Sequence, residues 1–411
     1  MKLRLLILLI LGALLIPGCD NSSSNIEFSG LPGEFIYKKG LSKKEAKELK
    51  TILEEKDNDC PEYSLEKYME PLWESKVVYN ESIYPIENED GSISPIPLMY
   101  EPVAILSVRD SSLKKQYVKG VDYDLKDGKI VILKSGSIPR VKYKDYWLDH
   151  ALEGASFPRT GGGFILYGQG EPFLSKQLAV TYVHLDKWKG ELPKGKSNLL
   201  PKTVQKLENK EELKIVFYGD SISEGCNSSG FHNVEPFAED WCSMVTSFLK
   251  EKYDHPSITM VNASLGGADS NWGYSAVRSA ANHKPDLVVI AFGMNDGTAR
   301  VPTATYKRNV TKMMEKIKGA NENCEFILVG TMLANEDVAG FVGLQEEYLP
   351  ELLSLEEEGV AVADMTTVHK YLLTRKRYYD MTGNNVNHPN DFLARFYAQV
   401  VAQTITSYKP Y

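Results

Sequence analysis

The chain is poor in the residues that metal sites and disulfide scaffolds need. Its 411 residues include five cysteines and seven histidines. Cys19, Cys60, Cys226, Cys242 and Cys324 show no CxxC spacing, and the histidines form no HxH or HExxH pair. That excludes the usual zinc motifs. In an oxidising compartment Cys226 and Cys242 are the candidate pair. Positive charge is also short. Lys and Arg number 47 against 55 Asp and Glu, a net charge of −8, and no stretch is both strongly basic and aromatic. A nucleic-acid surface is therefore not expected. The Lys-rich segment Lys38 to Lys50 is interleaved with Glu and reads as a solvated helix face. No Gly-x-Ser-x-Gly elbow occurs, which disfavours an α/β-hydrolase lipase. Gly161-Gly162-Gly163 has no Gly-Lys-Ser/Thr partner, so it reads as a turn and not a phosphate loop. No internal repeat or extended low-complexity segment stands out.

What the chain does have begins at its first residue. Met1-Lys2-Leu3-Arg4 is basic, and Leu5 to Ile16 is an apolar run too short for a comfortable membrane span. It ends in Ile16-Pro17-Gly18-Cys19, which resembles a bacterial lipoprotein signal. The resemblance implies cleavage before Cys19, lipid attachment at Cys19, and an exported protein anchored to the membrane's outer face or the cell surface. Asp20 to Asn25 then reads as a tether. An ordinary cleaved signal peptide or an uncleaved anchor are the alternatives, and both still export the protein.

The two halves of the remaining chain have different rhythms. Residues 1–19 read as the signal, 20–75 as tether and helical lead-in (helical periodicity over Leu41 to Glu55), 76–200 as a β-rich domain and 211–411 as an α/β domain. The β-rich part consists of short apolar runs such as Val103 to Val108, Lys129 to Leu133 and Leu178 to Val183, punctuated by Asp127-Gly128, Ser135-Gly136 and the three glycines. That pattern predicts an antiparallel sandwich or jelly roll. Leu192 to Lys202, rich in Pro and Lys, reads as the linker. Beyond it, predicted strands Lys214–Tyr218, Ile258–Ala263, Leu287–Phe292, Glu325–Gly330 and Val360–Asp364 alternate with helices near Ala238–Lys252, Ser275–Asn282, Thr305–Lys318, Leu344–Glu358 and Asp391–Ser407. The alternation predicts a three-layer α/β/α sandwich with right-handed crossovers.

Polar residues sit where these strands end. Ser221 follows the first strand in Gly219-Asp220-Ser221, Gly267 follows the second, and Asn295 follows the third in Gly293-Met294-Asn295-Asp296. The carboxyl ends of parallel strands are where open α/β sheets collect reactive groups. A serine hydroxyl needs a base to take its proton, and His388, in the irregular Asn387-His388-Pro389 before the last helix, is the candidate. An oxyanion needs preorganised donors, which a Gly267 N–H and an Asn295 carboxamide would supply. Trp272 is a candidate substrate contact.

The blocks Gly219-Asp220-Ser221, Asn262 to Gly267, Gly293-Met294-Asn295-Asp296 and His388-Pro389, in that order over Leu213 to Tyr411, resemble those of the SGNH (GDSL) hydrolase superfamily. The resemblance implies a flavodoxin-like fold, Ser221 as nucleophile and His388 as base. It also implies an oxyanion hole of the Ser221 N–H, the Gly267 N–H and the Asn295 side chain, and no metal or organic cofactor. One position departs from the family. The Asp usually found three residues before the His is Asn385 here. Three arrangements stay open: a Ser–His dyad helped by a backbone carbonyl, Asn385 as orienter of the imidazole, or an Asp from elsewhere, with Asp380, Asp391 and Asp364 nearest in sequence. Some carbohydrate esterases of the superfamily use dyads and carry an N-terminal β-sandwich.

Three functions follow as expectations. The first is an exported esterase that removes small acyl groups, O-acetyl above all, from a glycan or other small ester. The second is a lysophospholipase or thioesterase acting on longer acyl chains. The third is a non-catalytic binding lipoprotein that keeps the fold without turnover.

Overall fold

Five apolar runs in the second half, Leu213–Gly219, Ile258–Asn262, Leu287–Ala291, Glu325–Gly330 and Val360–Asp364, form one parallel sheet in a computed structural model that describes residues 34–35, 41–54 and 58–406. The leader, Cys19 and the tract Asp20 to Asn25 lie outside the described residues. Numbered within the sheet, the strand order is 2-1-3-4-5. The chain direction of strand addition therefore reverses between the first and third strands, and a crevice opens at their carboxyl ends. Ser221 and Asn295 follow those two strands.

Alternation along each strand builds two cores. Val216, Tyr218, Val288, Ile290 and Phe326 face the helices Ser270–Ala276 and Thr303–Lys318. Ile215, Phe217, Val289, Ala291 and Ile327 belong to the opposite core, with the helices Trp241–Lys252, Met365–Leu373 and Asp391–Ile405. Successive side chains on a strand point to opposite faces, so a run apolar at every position needs helices on both sides. The result is the three-layer α/β/α arrangement.

The first half consists of antiparallel sheets. Glu34–Phe35, Pro102–Asp110, Leu178–His184 and Val77–Ile83 make a four-stranded sheet in that order. Two three-stranded sheets flank it, one of Ile96–Pro97, Lys129–Ile132 and Tyr123–Lys126, the other of Trp147–Leu148, Phe164–Leu166 and Ser156–Pro158. Gly161, Gly162 and Gly163, with φ of 88°, 111° and 74°, form the turn between the last two strands of the chain in that second sheet. A Cβ at Gly163 would stand 2.7 Å from the Leu148 carbonyl oxygen, so this turn needs glycine for space as well as for backbone sign.

The two halves share a core. Val78, Val180 and Tyr182 of the four-stranded sheet lie in the same apolar cluster as Trp241, Phe396 and Val400. The terminal helix Asp391–Ile405 runs between them and is buried at every position except Asp391 and Gln403. A helix with apolar residues on every side has little solvent face to offer and is enclosed, and its buried polar side chains then need partners inside the protein. The Gln399 amide donates to the carbonyls of Tyr68 and Glu70 (2.7 Å each) and its oxygen accepts from the Leu72 N–H (3.1 Å), pinning the helix to the lead-in.

Three elements differ from the sequence expectation. The linker is ordered on the second half. Lys196 donates through its N–H to Thr404 O (3.0 Å), and a helix, Pro201–Asn209, starts inside the linker segment. Pro201 suits the first helical position because its missing N–H would be unpaired there anyway, and Glu325 accepts from Lys202 N and Thr203 N at 3.0 and 2.7 Å. The helix expected over Leu344–Glu358 shrinks to Tyr348–Leu353, since the Pro350 ring clashes with a helical carbonyl four residues back. The helix Met365–Leu373, capped by Asp364 (2.8 Å from Thr367 N), was not read from the sequence. The lead-in helix spans Lys43–Glu54.

Candidate active site

The turn that carries Ser221 is fixed by what the strand Leu213–Gly219 meets as it ends. A Cβ on Gly219 would fall 2.4 Å from the Ala291 carbonyl oxygen of the neighbouring strand, so only glycine fits. Asp220 then caps the short helix Ser221–Glu224, its Oδ1 accepting from Ile222 N at 3.0 Å. Ser221 is the first residue of that helix, where a backbone N–H has no partner within the helix. The turn is clamped from outside. Trp241 Nε1 donates to Ile222 O (2.9 Å) and Asn262 Nδ2 to Ser223 O (2.7 Å). Burial pushes the Asp220 carboxyl up to about 7, with the Asp296 charge adding to the effect.

The second strand delivers the glycines. Beyond Asn262 the parallel ladder continues with Ala263 N to Phe217 O (2.8 Å) and Leu265 N to Gly219 O (3.1 Å), which ties the following loop to the nucleophile turn. A Cβ on Gly266 would be 3.8 Å from Ser221 Cβ. Gly267 has φ +77° with nothing within 4 Å of a Cβ, so its glycine answers the left-handed backbone and not a lack of space. The third strand delivers Asn295, whose Nδ2 donates to Ala268 O at 2.9 Å and so holds the amide against the residue after Gly267.

Ser221 and His388 meet directly. His388 Nε2 lies 2.8 Å from Ser221 Oγ, and both residues are buried. The other ring nitrogen, Nδ1, lies 2.6 Å from Asn227 Oδ1. Asn227 Nδ2 donates to the Gly383 carbonyl at 2.9 Å, which fixes which end of the amide faces the ring. An amide oxygen can only accept, so Nδ1 carries the proton and Nε2 is left to accept from the serine hydroxyl. That is the tautomer a general base needs. Asn227 has φ +72°, a conformation asparagine tolerates better than most residues. A Cβ on Gly383 would stand 2.5 Å from Asn227 Cβ, so glycine there makes room for the contact.

The sequence expectation for the orienter is corrected on this point. Asn385 does not touch His388. Its Oδ1 accepts from Tyr146 OH (2.7 Å), and its Nδ2 donates to Leu166 O (2.9 Å), both in the β-rich half. With φ +72° its backbone turns the side chain to that partner. The three aspartates are engaged elsewhere. Asp380 pairs with Arg377 and accepts from Tyr84 N, Asp391 accepts from Ser229 N at 2.7 Å, and Asp364 caps its helix. Trp272 is half-buried in the core beside Tyr218, ring centroids 5.9 Å apart, a packing position. Cys226 and Cys242 are unpaired, the Cys242 thiol donating to Ser223 O at 3.2 Å. Among the described residues no three His, Cys, Asp or Glu side chains converge as metal ligands.

The loop that carries His388 is braced by side chains that sequence reading did not single out. Asn384 Oδ1 accepts from three successive backbone N–H groups, Val386, Asn387 and His388, at 2.9, 3.0 and 3.0 Å. Thr382 Oγ1 donates to His388 O (2.7 Å). Gln177 Nε2 of the β-rich half donates to Thr382 O (2.7 Å), and Asn390 Nδ2 donates to Ser82 Oγ of that half (2.9 Å). A buried acceptor stranded by loss of its donor costs about 1–3 kcal/mol, so the loop conformation depends on both halves. Burial, with the nearby His232 second, pushes His388 down to about 4.

The model of the GDSL-like Lipase/Acylhydrolase family matches residues 217–394. An arylesterase of Vibrio mimicus is 30% identical over 111 residues, which are 27% of this chain and 51% of that protein. Esterase TesA of Pseudomonas aeruginosa is 30% identical over 123 residues, 29% of this chain and 54% of that one. The chain spans about half the length of these curated relatives. Among solved structures, a two-domain esterase active on acetylated mannans aligns at TM-score 0.40 with 20% identity over 52% of each chain. The acetylxylan esterase Axe2 of Geobacillus stearothermophilus aligns at 0.39 with 18% identity over 48% of this chain and 95% of that one.

Proposed function

With residues 217–394 forming a domain of the GDSL-like lipase/acylhydrolase family, we propose that the protein is a serine esterase that removes small acyl groups, O-acetyl above all, from carbohydrate. The observation that carries the reading is the relay Ser221 Oγ, His388 Nε2, His388 Nδ1, Asn227 Oδ1, with contacts of 2.8 and 2.6 Å. Two of the relatives it matches are named as esterases.

The chemistry follows from the roles. Ser221 Oγ attacks the ester carbonyl while His388 Nε2 takes its proton. The carbonyl oxygen becomes an oxyanion, held by the N–H groups of Ser221 and Gly267 and by the Asn295 carboxamide. As the tetrahedral intermediate collapses, the C–O bond to the alcohol breaks and imidazolium returns the proton to the leaving alkoxide. Water then attacks the acyl-serine, again losing its proton to His388, and the carboxylic acid departs as Ser221 regains its hydrogen. Asn227 keeps Nδ1–H directed throughout. Being neutral, it stabilises the imidazolium less than a carboxylate would.

The test is turnover of p-nitrophenyl acetate, butyrate and decanoate by protein lacking Met1 to Cys19. The expected result is activity that falls with chain length. Activity that rises to decanoate moves the reading to lipid or thioester substrates, and no turnover with any of them leaves a binding protein. The leader's resemblance to a lipoprotein signal supports export and anchoring through Cys19, with the described helices adding no span long and apolar enough to cross a membrane. A Cys19→Ser chain is expected to leave the membrane fraction; continued membrane association would refute the lipid anchor.

A further inference from the structure

Glu224 closes the nucleophile helix and is half-buried. A Cβ placed on Gly266 would lie 3.1 Å from Glu224 Oε2 and 3.8 Å from Ser221 Cβ, so the carboxylate and the nucleophile border one small space above Gly266. Among the described residues no cation pairs with Glu224, and its hydrogen-bonding neighbour is the Cys226 thiol, with Sγ 4.0 Å from Oε2. A carboxylate has room for about four donors. This one is half-buried, meets the Cys226 thiol among the described residues, and stands close to where a negative oxyanion has to form.

Two apolar side chains adjoin the glycines of this turn and loop, Gly225 and Gly266. Gly225, at φ +97°, would bring a Cβ 3.7 Å from Phe231 Cδ2, and Leu265 immediately precedes Gly266. Phe231 is 46% exposed and Leu265 45%, against a core in which large apolar side chains are almost fully covered. An exposed aromatic ring near the turn that carries a carboxylate offers the two kinds of surface that a pyranose matches. The C–H face of the sugar packs on an aromatic ring, and vicinal hydroxyls donate to a carboxylate in charge-assisted hydrogen bonds. An anionic group would be repelled by the same charge.

We propose that Glu224 and Phe231 form a subsite for a neutral, hydroxyl-bearing ring on the alcohol side of the scissile ester. The inference rests on the esterase reading above. Glu224 sets which alcohol is accepted, by taking hydrogen bonds from hydroxyls next to the ester, and Phe231 supplies the stacking face.

The experiment compares two substrates that differ only in hydroxyl donors, a mono-O-acetyl methyl glucopyranoside and the same compound with its free hydroxyls converted to methyl ethers. The wild-type enzyme is expected to prefer the hydroxyl-bearing ester in kcat/KM by roughly tenfold or more, the scale of hydrogen bonds to a charged group. Glu224→Gln keeps the shape and removes the charge, and is expected to cut that preference to about threefold or less, chiefly through KM. Any steric penalty of the methyl groups persists in the variant, so the change in preference reads the hydroxyl contacts alone. Phe231→Ala is an independent variant, expected to raise KM for both sugars by about tenfold. A wild-type enzyme that hydrolyses both esters without preference, or a Glu224→Gln variant that retains the full preference, overturns the subsite and leaves the esterase reading intact. A wild-type enzyme that hydrolyses neither sugar nor p-nitrophenyl acetate overturns the esterase reading itself, and the subsite with it.

Discussion

Ser221→Ala is expected to lower kcat/KM on p-nitrophenyl acetate by about 10⁴- to 10⁶-fold, the range found when the nucleophile of a serine relay is deleted. The protein should remain folded. The hydroxyl lost is engaged with His388 Nε2 at 2.8 Å, and one such hydrogen bond is worth about 1 kcal/mol of stability. Circular dichroism and the melting temperature of the variant are therefore expected to stay close to those of the wild type. Turnover within tenfold of wild type would falsify the assignment of Ser221 as nucleophile. A loss of turnover accompanied by a collapse in melting temperature would point to structural damage instead, and labelling of wild-type Ser221 by a fluorophosphonate then separates the two.

Asn227 is the second position with a large expected effect, and its two substitutions should differ in kind. Asn227→Ala removes the acceptor for Nδ1–H and strands the Gly383 carbonyl. It also places alanine at φ +72°, which costs about 1–2 kcal/mol. A fall in kcat of about 10²-fold or more is expected, because the imidazole loses both its tautomer bias and its orientation. Asn227→Asp keeps the shape and adds a charge. In the wild type His388 is pushed down to about 4 by burial. A general base works when neutral, and histidine is neutral above its pKa, so kcat/KM should hold from neutral pH down to about pH 4 and fall below it. A carboxylate at position 227 favours the imidazolium and raises that pKa, so the acid limb of the Asn227→Asp profile should move to higher pH by about one unit or more. The orienting role fails if Asn227→Ala keeps wild-type kcat, or if the two profiles share one acid limb.

The placement of Ser221, Gly267 and Asn295 at strand ends was legible because three independent signals coincide. Apolar runs of five to seven residues announce parallel strands, glycines mark where each must turn, and Ser221, Gly267 and Asn295 follow in the loops within five residues of the strand ends. His388 was legible from its place before a capped terminal helix. Asn227 was not. It lies in an irregular stretch six residues past Ser221 and reaches His388 across 161 positions of sequence, with nothing periodic to mark it. One available signal was negative: Asn385 in place of the usual acid left the partner of the imidazole open. A second was Gly383, whose missing side chain is what lets Asn227 approach. Asn385 misled because an amide near a histidine in sequence is free to face either way, and Tyr146 from the other half claims it. The helix Pro201–Asn209 and the helix after Asp364 were not read for a different reason. Pro201 and Asp364 are both helix-start residues, but a strand or linker reading had already absorbed them.

The enclosure of the terminal helix has a consequence in time. The strand Leu178–His184 leaves the ribosome roughly 200 residues before the helix Asp391–Ile405 begins. At a synthesis rate of about 5–20 residues per second, that is a delay of about 10–40 s. Throughout it, the β-rich half is complete as a chain yet lacks Phe396 and Val400, which share its apolar cluster. The nascent protein therefore carries an open oily face for about half of the synthesis of its 411 residues, and the helix Asp391–Ile405 both shuts that face and follows directly on His388, which it brings to Ser221. A fragment released before this helix would be sticky and inert together, which makes the helix Asp391–Ile405 the point at which this molecule becomes both safe and useful.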